Sequence, residues 1–499
     1  MEIFWFIILL SLWVWMLFIK SLISVPLPPG PLHIPIVTNI TNILWLRRSL
    51  SELEQILRNL HAKHGPIFTL HFWFDPNIFI VDSSLAHQAL VQNGDVFANR
   101  PTTLSYKNAT ADQLNISSSS YGHTWRLLRR NLASVMLHPS RSNSFSGTRK
   151  RVLHDLLNRL KTDAEKHHSF VKLREHVQHA LFSLLVFMCF GEAVVEDKIR
   201  DIKHVQRSLI LGLNRFGVLH FLPKVFTRML FRKRWQELLD IRNAQKNAFT
   251  QLIRARKSVR DGGVICYVDT LLELRLHEEE NRELDEGEVV ALCSEFLTAG
   301  TDTTSTALEW VMANLVKHAH VQQKVVEEIG EVIGDREEKE VKDEDLKKLV
   351  YVKAVVLEGL RLHPPTHFLL PHAVTEDVLL NGYMVPKNAS VNFMVAEMGW
   401  NPRMWEDPMT FKPERFLSSE FEGFDIVGRK EIKMMPFGVG RRVCPAYHLA
   451  MHHLEYFVAN LVWSFEWKAL HGDTVDLSRK QEFTMVMKHP LQAQIYSRF

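Results

Sequence analysis

The chain opens on a run that carries no charge. Residues 3–19 read IFWFIILLSLWVWMLFI, and Lys20 ends the run. With Leu22 and Ile23 beyond it, this stretch is long enough to cross a hydrocarbon layer of about 30 Å as one helix. A cleaved signal peptide would carry a basic start and a small-residue cleavage site. Here Glu2 precedes the run and no A-x-A follows. Residues 3–23 are therefore expected to form a single transmembrane anchor. The first positive charges, Lys20, Arg47 and Arg48, follow the run, which places the bulk of the chain in the cytosol. Residues 24–35 contain the segment PLPPGP and are expected to form a stiff hinge, because prolines cannot continue a helix. Two runs rich in β-formers, IFTLHFWF and IFIVD, predict a hairpin over 67–82, turning at Asp75-Pro76-Asn77. A second hairpin is expected within 375–396, at Asn381-Gly382. From 83 to 348 the apolar positions mostly follow helical spacing, with breaks near 258–264 and 334–345. The charged run REEKEVKDED is expected to be solvated surface. The expected fold is mainly α with small β-sheets, as one catalytic domain over 36–499, with no internal repeat or second linker.

Composition narrows the function. The net charge is +4 over 499 residues, and no basic run is interleaved with aromatics, so nucleic acid is not an expected partner. Cys189, Cys266, Cys293 and Cys444 are far apart and form no CxxC, which argues against a disulfide framework. Cys189 and Cys293 lie in apolar helical stretches and read as small buried hydrophobes.

Cys444 differs. It lies in PFGVGRRVCPA, residues 436–446. Gly438 and Gly440 allow tight turns, Arg442 brings a fixed cation, and Pro445 favours a helix start. Cys444 is therefore expected at or beside a helix N-cap, where free N–H groups and the dipole favour a thiolate. Such a sulfur can ligate a haem iron. Two other readings stand beside it. Cys444, His448 and His452 fall on one helical face and could bind zinc, or the cysteine could be structural.

The loop resembles the haem loop of the cytochromes P-450, F-x-x-G-x-R-x-C-x-G. Phe437, Gly440, Arg442 and Cys444 match it; Ala446 stands in place of the last glycine, and its methyl would press toward a porphyrin. Further motifs match in order. Glu358 and Arg361 in KAVVLEGLRLHPP share a helix face. With Arg415 of FKPERF they resemble the family's structural network that holds the haem loop. Ala299, Gly300, Asp302 and Thr303 in AGTDTT resemble its oxygen-activation groove. That segment is expected mid-way in a helix capped by Asp285 and Glu288, as a distorted turn forming a polar niche. The resemblance implies that Asp302 and Thr303 relay protons. Trp125 and Arg129 resemble the W-x-x-x-R that anchors one haem propionate, and His372 takes a position near the other. Gly438, Ala299 and Gly300 are expected against the cofactor. RNLASVMLHPSR and the stretch from MMPFGVG onward resemble plant microsomal members, family eighty-nine, subfamily A.

The resemblance implies a monooxygenase with haem b as cofactor and O2 as co-substrate. Electrons would come from NADPH through a separate membrane-bound reductase, docking on Arg129, Arg130, Arg441, Lys430 and Lys433. The expected setting is the endoplasmic reticulum membrane, with the catalytic domain facing the cytosol. The sequons at Asn39, Asn108, Asn115 and Asn388 are then expected to stay unmodified. Pocket walls are expected near 101–122, 205–220, 296–304 and 366–370, with Phe296, Phe368, Leu369 and Leu370 facing a small apolar substrate. A haem isomerase or dehydratase acting on peroxides, and a non-catalytic membrane-anchored haem protein, remain as alternatives.

Overall fold

The computed structural model describes residues 26–31, 50–72, 75–101, 114–216, 229–258, 264–276, 280–421, 423–470 and 475–499. The expected anchor, half of the hinge, Asn39 and Asn108 lie outside the described residues. Among the described residues, no helix is long and apolar enough to cross a membrane.

The described part is mainly helical with small sheets. Its helices of six residues or more are α1 (Leu50–His64), α2 (His123–Arg130), α3 (Ser146–Lys166), α4 (Leu173–Phe190), α5 (Glu196–Phe216), α6 (Arg232–Ser258), α7 (Tyr267–Leu272), α8 (Glu286–Lys317), α9 (Ala319–Ile333), α10 (Val350–Leu362) and α11 (Tyr447–Ser464). The centre is α8. Asp285 accepts from the Glu288 amide at 2.8 Å and Glu288 accepts from the Asp285 amide at 2.8 Å, the expected reciprocal cap. Buried residues lie on all sides of α8, which packs against α4, α10 and α11. Backbones approach closely there: a Cβ at Gly359 of α10 would lie 2.5 Å from the Val311 side chain. The expected distorted turn is absent, since α8 runs unbroken through Ala299–Thr304. The surrounding core overrides the weak helix preference of its threonines.

One sheet has the order β1 (Ile67–Phe72), β2 (Asp75–Ile80), β7 (Ser390–Phe393), β4 (His372–Ala373). The first hairpin forms, but not at the expected turn. Asp75 already pairs with Phe72, so Asp75, Pro76 and Asn77 lie in β2 rather than in the turn. Pro76 is tolerated within β2 because the parallel pairing with β7 begins only at Asn77. The second hairpin turns where expected: Asn381 and Gly382 have φ of 53° and 78° between β5 (Val378–Leu380) and β6 (Tyr383–Val385). A second sheet joins β8 (Phe465–Ala469), β11 (Gln492–Ser497) and β3 (Phe170–Lys172). The pair β9 (Arg479–Gln481) and β10 (Met485–Met487) folds back over α8, where Trp310 donates to the Met485 carbonyl at 2.8 Å.

The run at 336–345 is not simply solvated surface. Asp343 takes both Arg149 Nε and Nη2, at 3.1 and 2.6 Å, and His452 Nε2 at 3.0 Å. Glu340 holds His154 and Tyr456. These contacts tie α3 to α11 through partners that sequence spacing does not reveal.

Candidate functional site

Cys444 sits at the mouth of α11. Its amide donates to the Phe437 carbonyl at 2.8 Å, closing the loop on itself. Gly438 and Gly440 have φ of 68° and 75°. At Gly440 a side chain is excluded twice, because a Cβ would also lie 2.0 Å from the Leu90 carbonyl oxygen. At Gly438 the same position faces Leu369 at 3.4 Å. The N-cap of α11 is Ala446, so Cys444 lies two residues before the cap rather than at it. Ala446 has φ −100°, which asks for no glycine. Burial pushes the Cys444 thiol above its ordinary value; the Ala446 amide and the Arg129 guanidinium pull the other way without prevailing.

Three arginines and a histidine converge beside this loop. Arg442 donates to the carbonyls of Ala98 (2.7 Å), Ile116 (3.1 Å) and Ser119 (2.7 Å), and lies 4.3 Å from the Trp125 ring centroid. Arg129 donates to the Val443 carbonyl. Arg100 donates to Ser117, Leu370 and Pro371 carbonyls at 2.8–2.9 Å. Trp125 donates to the Ile116 carbonyl at 2.9 Å. His372 is buried, with Nδ1 2.7 Å from the Phe97 carbonyl. Burial, then Arg100, then Arg129 push Arg442 down to about 9. Burial, then Arg100 and later Arg442 push His372 down to about 3, so it is neutral. Arg100 and His372 are buried and Arg129 and Arg442 half-buried, so three guanidinium groups gather on one side of the loop.

The expected oxygen-activation residues part company. Thr303 donates to the Ala299 carbonyl at 2.6 Å. Asp302 turns toward α4 and α5, where Oδ1 accepts from Gln178 at 2.8 Å and Arg207 at 3.2 Å. Burial raises the Asp302 carboxyl; Arg207 and Gln178 oppose it. Beside it lies a cavity of about 20 Å³ lined in part by Gln178, Arg207 and Thr301. Among the described residues the Thr301 hydroxyl has no partner, and the space suits one water. The Cβ direction at Gly300 meets Leu185 of α4 at 2.7 Å, so this glycine serves helix packing on that side, not the expected cofactor face.

The Glu358 network is complete. Glu358 Oε1 and Oε2 take Arg361 Nη2 (2.8 Å) and Nε (2.7 Å), and Oε1 also takes Arg415 Nε (3.0 Å) and the Lys412 amide (2.9 Å). The remaining guanidinium donors reach carbonyls of Gly399, Pro408, Glu406 and Thr410. Both arginines lie over Trp405, which donates to the Lys433 carbonyl at 3.3 Å, just upstream of the cysteine loop.

Other expectations are corrected. Among the described residues no group of three or more His, Cys, Asp or Glu could hold a metal ion. His452 is taken by Asp343, and His448 is exposed against Tyr447. The Phe296 ring packs on Tyr267, with centroids 4.9 Å apart. Phe368 packs against the cluster around Phe68 and Phe79, whereas Leu370 is 49% exposed. Arg129 points inward and so leaves the expected basic docking face, and Arg441 is paired with Asp95. Sequence reasoning missed Glu295, Arg100 and Glu482. Glu482 bridges Arg207 (3.2 Å) and Arg174 (3.1 Å) from the turn between β9 and β10.

A family model described as cytochrome P450 matches residues 28–496. The chain is 48% identical to cytochrome P450 89A9 of Arabidopsis thaliana over 483 residues, covering 95% of this chain and 94% of that one. It is 33% identical to an isoflavone 3'-hydroxylase of Medicago truncatula, covering 94% of this chain and 92% of the relative. Among solved structures, a zebra fish cytochrome P450 with abiraterone superposes with a TM-score of 0.70 at 23% identity, covering 88% of this chain and 98% of that one.

Proposed function

The chain belongs to the cytochrome P450 family and is a monooxygenase of that family, and from this premise we propose that it inserts one oxygen atom of O2 into a small, largely apolar organic substrate. The cofactor is haem b, with Cys444 as its iron ligand. The observation that carries this reading is the pairing of the cysteine loop with a cationic ring. A porphyrin offers a metal for the sulfur and two carboxylates for Arg442, Arg100, Arg129 and neutral His372. The fit is chemical: guanidinium groups held close to one another, partly shielded from water, favour binding an anion. A metal at Cys444 likewise supplies the positive charge that keeps a buried thiolate ionised. When bound, the haem supplies the oxidising power.

The chain's own residues position and supply protons. Thr303 offers its hydroxyl from α8. Asp302 is a carboxyl raised by burial and so closer to exchanging a proton at neutral pH. To serve the Thr303 side it must leave Arg207. The Glu358 network holds the segment leading to the cysteine loop through Trp405. Electrons come from NADPH through a separate reductase, and residues 3–23 hold the protein to the endoplasmic reticulum membrane, with the catalytic domain facing the cytosol.

The test begins with a spectral binding screen of plant metabolites on the purified holoprotein. A compound that binds should be oxidised only with NADPH and reductase. Thr303→Ala should lose most of that oxidation with haem content unchanged. Equal turnover without NADPH or reductase would instead favour the peroxide isomerase reading.

A further inference from the structure

Glu295 lies on α8 one turn before Ala299, outside every motif discussed above. Its Oε2 accepts from the Ile116 amide at 2.7 Å, and its Oε1 accepts from the Ser117 amide at 2.7 Å and from the Ser117 hydroxyl. Burial raises its carboxyl; these three donors pull it back. A half-buried carboxylate in a helix that spends its capacity on a distant loop calls for a local reason.

The carbonyls of that loop supply one. Ile116 O receives Trp125 Nε1 and Arg442 Nη1. Ser117 O receives Arg100 Nε, and Ser119 O receives Arg442 Nη2. Peptide planes are rigid, so holding the Ser117 amide fixes the direction of the Ile116 carbonyl in the same plane, which takes Trp125 and Arg442. Arg100 hangs from the next carbonyl along, that of Ser117, whose own residue is held by Glu295.

We propose that Glu295 is a positioning residue. Through the 116–119 backbone it aims Arg442, Arg100 and Trp125 at the cofactor's carboxylates, joining the central helix to the cysteine-loop side of the site. The proposal rests on the reading that these groups receive the haem carboxylates. Glutamine cannot replace the glutamate: it offers one acceptor oxygen, and its NH2 would face a backbone N–H.

The test uses the full-length holoprotein. Hydrogen exchange at 116–119 and the rate of haem transfer to apomyoglobin are measured for wild type, Glu295→Gln and Ser117→Ala. Glu295→Gln should raise exchange at 116–119 and speed haem transfer about tenfold, on the scale of one lost charge-assisted hydrogen bond. Ser117→Ala removes one of the three donors and should move both readouts the same way by a smaller factor. It keeps the question open to refutation even if Glu295→Gln fails to fold. In an Arg442→Leu background, Glu295→Gln should add little, because the two act through one contact. Faster exchange with unchanged haem transfer would overturn the proposal, as would fully additive effects with Arg442→Leu. Failure of the underlying reading looks different: Cys444→Ala would then keep haem with unaltered iron spectra whatever stands at 295.

Discussion

Two arginine clusters flank the cysteine loop, and they are built on opposite terms. Around Glu358, Arg361 and Arg415 share one buried carboxylate, and Glu358 and Arg361 are 0% and 1% exposed. Around Arg442, the guanidinium reaches backbone carbonyls, and the charged groups acting most on it are two further cations, Arg100 and Arg129. The first cluster sets two guanidinium groups on one shared carboxylate and fills their remaining donors with carbonyls, so it is a finished structural part. The second brings three guanidinium groups together on backbone carbonyls alongside the cysteine loop, which suits an anionic ligand. Buried guanidinium alone therefore does not separate scaffold from site; the partner set does.

Breaking the first cluster should have the largest effect. Glu358→Gln leaves two buried guanidinium groups short of their anion, and should lower folding stability by about 3–5 kcal/mol. Urea unfolding measures it, and a loss under 1 kcal/mol would contradict the assignment. At the second cluster the effect should appear in the ligand rather than the fold. Arg442→Leu removes a cation from a repulsive group, so unfolding of the chain should change less than with Glu358→Gln. Haem transfer to apomyoglobin should accelerate by a factor corresponding to about 1–3 kcal/mol. Equal losses in both assays would erase the distinction. The smallest effect is on pH dependence. His372 titrates near 3 when folded and near 6.5 when unfolded. Between these values the unfolded chain binds a proton that the folded chain does not, so stability falls as pH falls. Through that window the slope is at most about 1.4 kcal/mol per pH unit for this group. His372→Gln should flatten the acid limb by this amount, and an unchanged limb would show that the cationic surroundings do not act on it.

What was legible in the sequence follows the range of each interaction. The Asp285–Glu288 cap, the Asn381-Gly382 turn and the Glu358–Arg361 pair join residues one to three positions apart, so spacing reveals them. Glu295 was invisible because its partners are backbone amides 178 and 179 residues away. Asp343 looked like one charge in a solvated run because Arg149 and His452 lie 194 and 109 residues away. Helical spacing put Cys444, His448 and His452 on one face, but tertiary partners turned His452 aside. The contact of Phe296 with Tyr267 of α7 is equally hidden in the sequence, because the two lie 29 positions apart and an apolar residue does not name its neighbour.

The most direct trial of the whole account is the carbon monoxide spectrum of the purified, reduced protein, recorded for wild type and Cys444→Ala. Wild type should show the thiolate-type Soret band and the variant should lack it. A variant with the same band, or a wild type without it, would contradict the claim that the sulfur of Cys444 holds the iron.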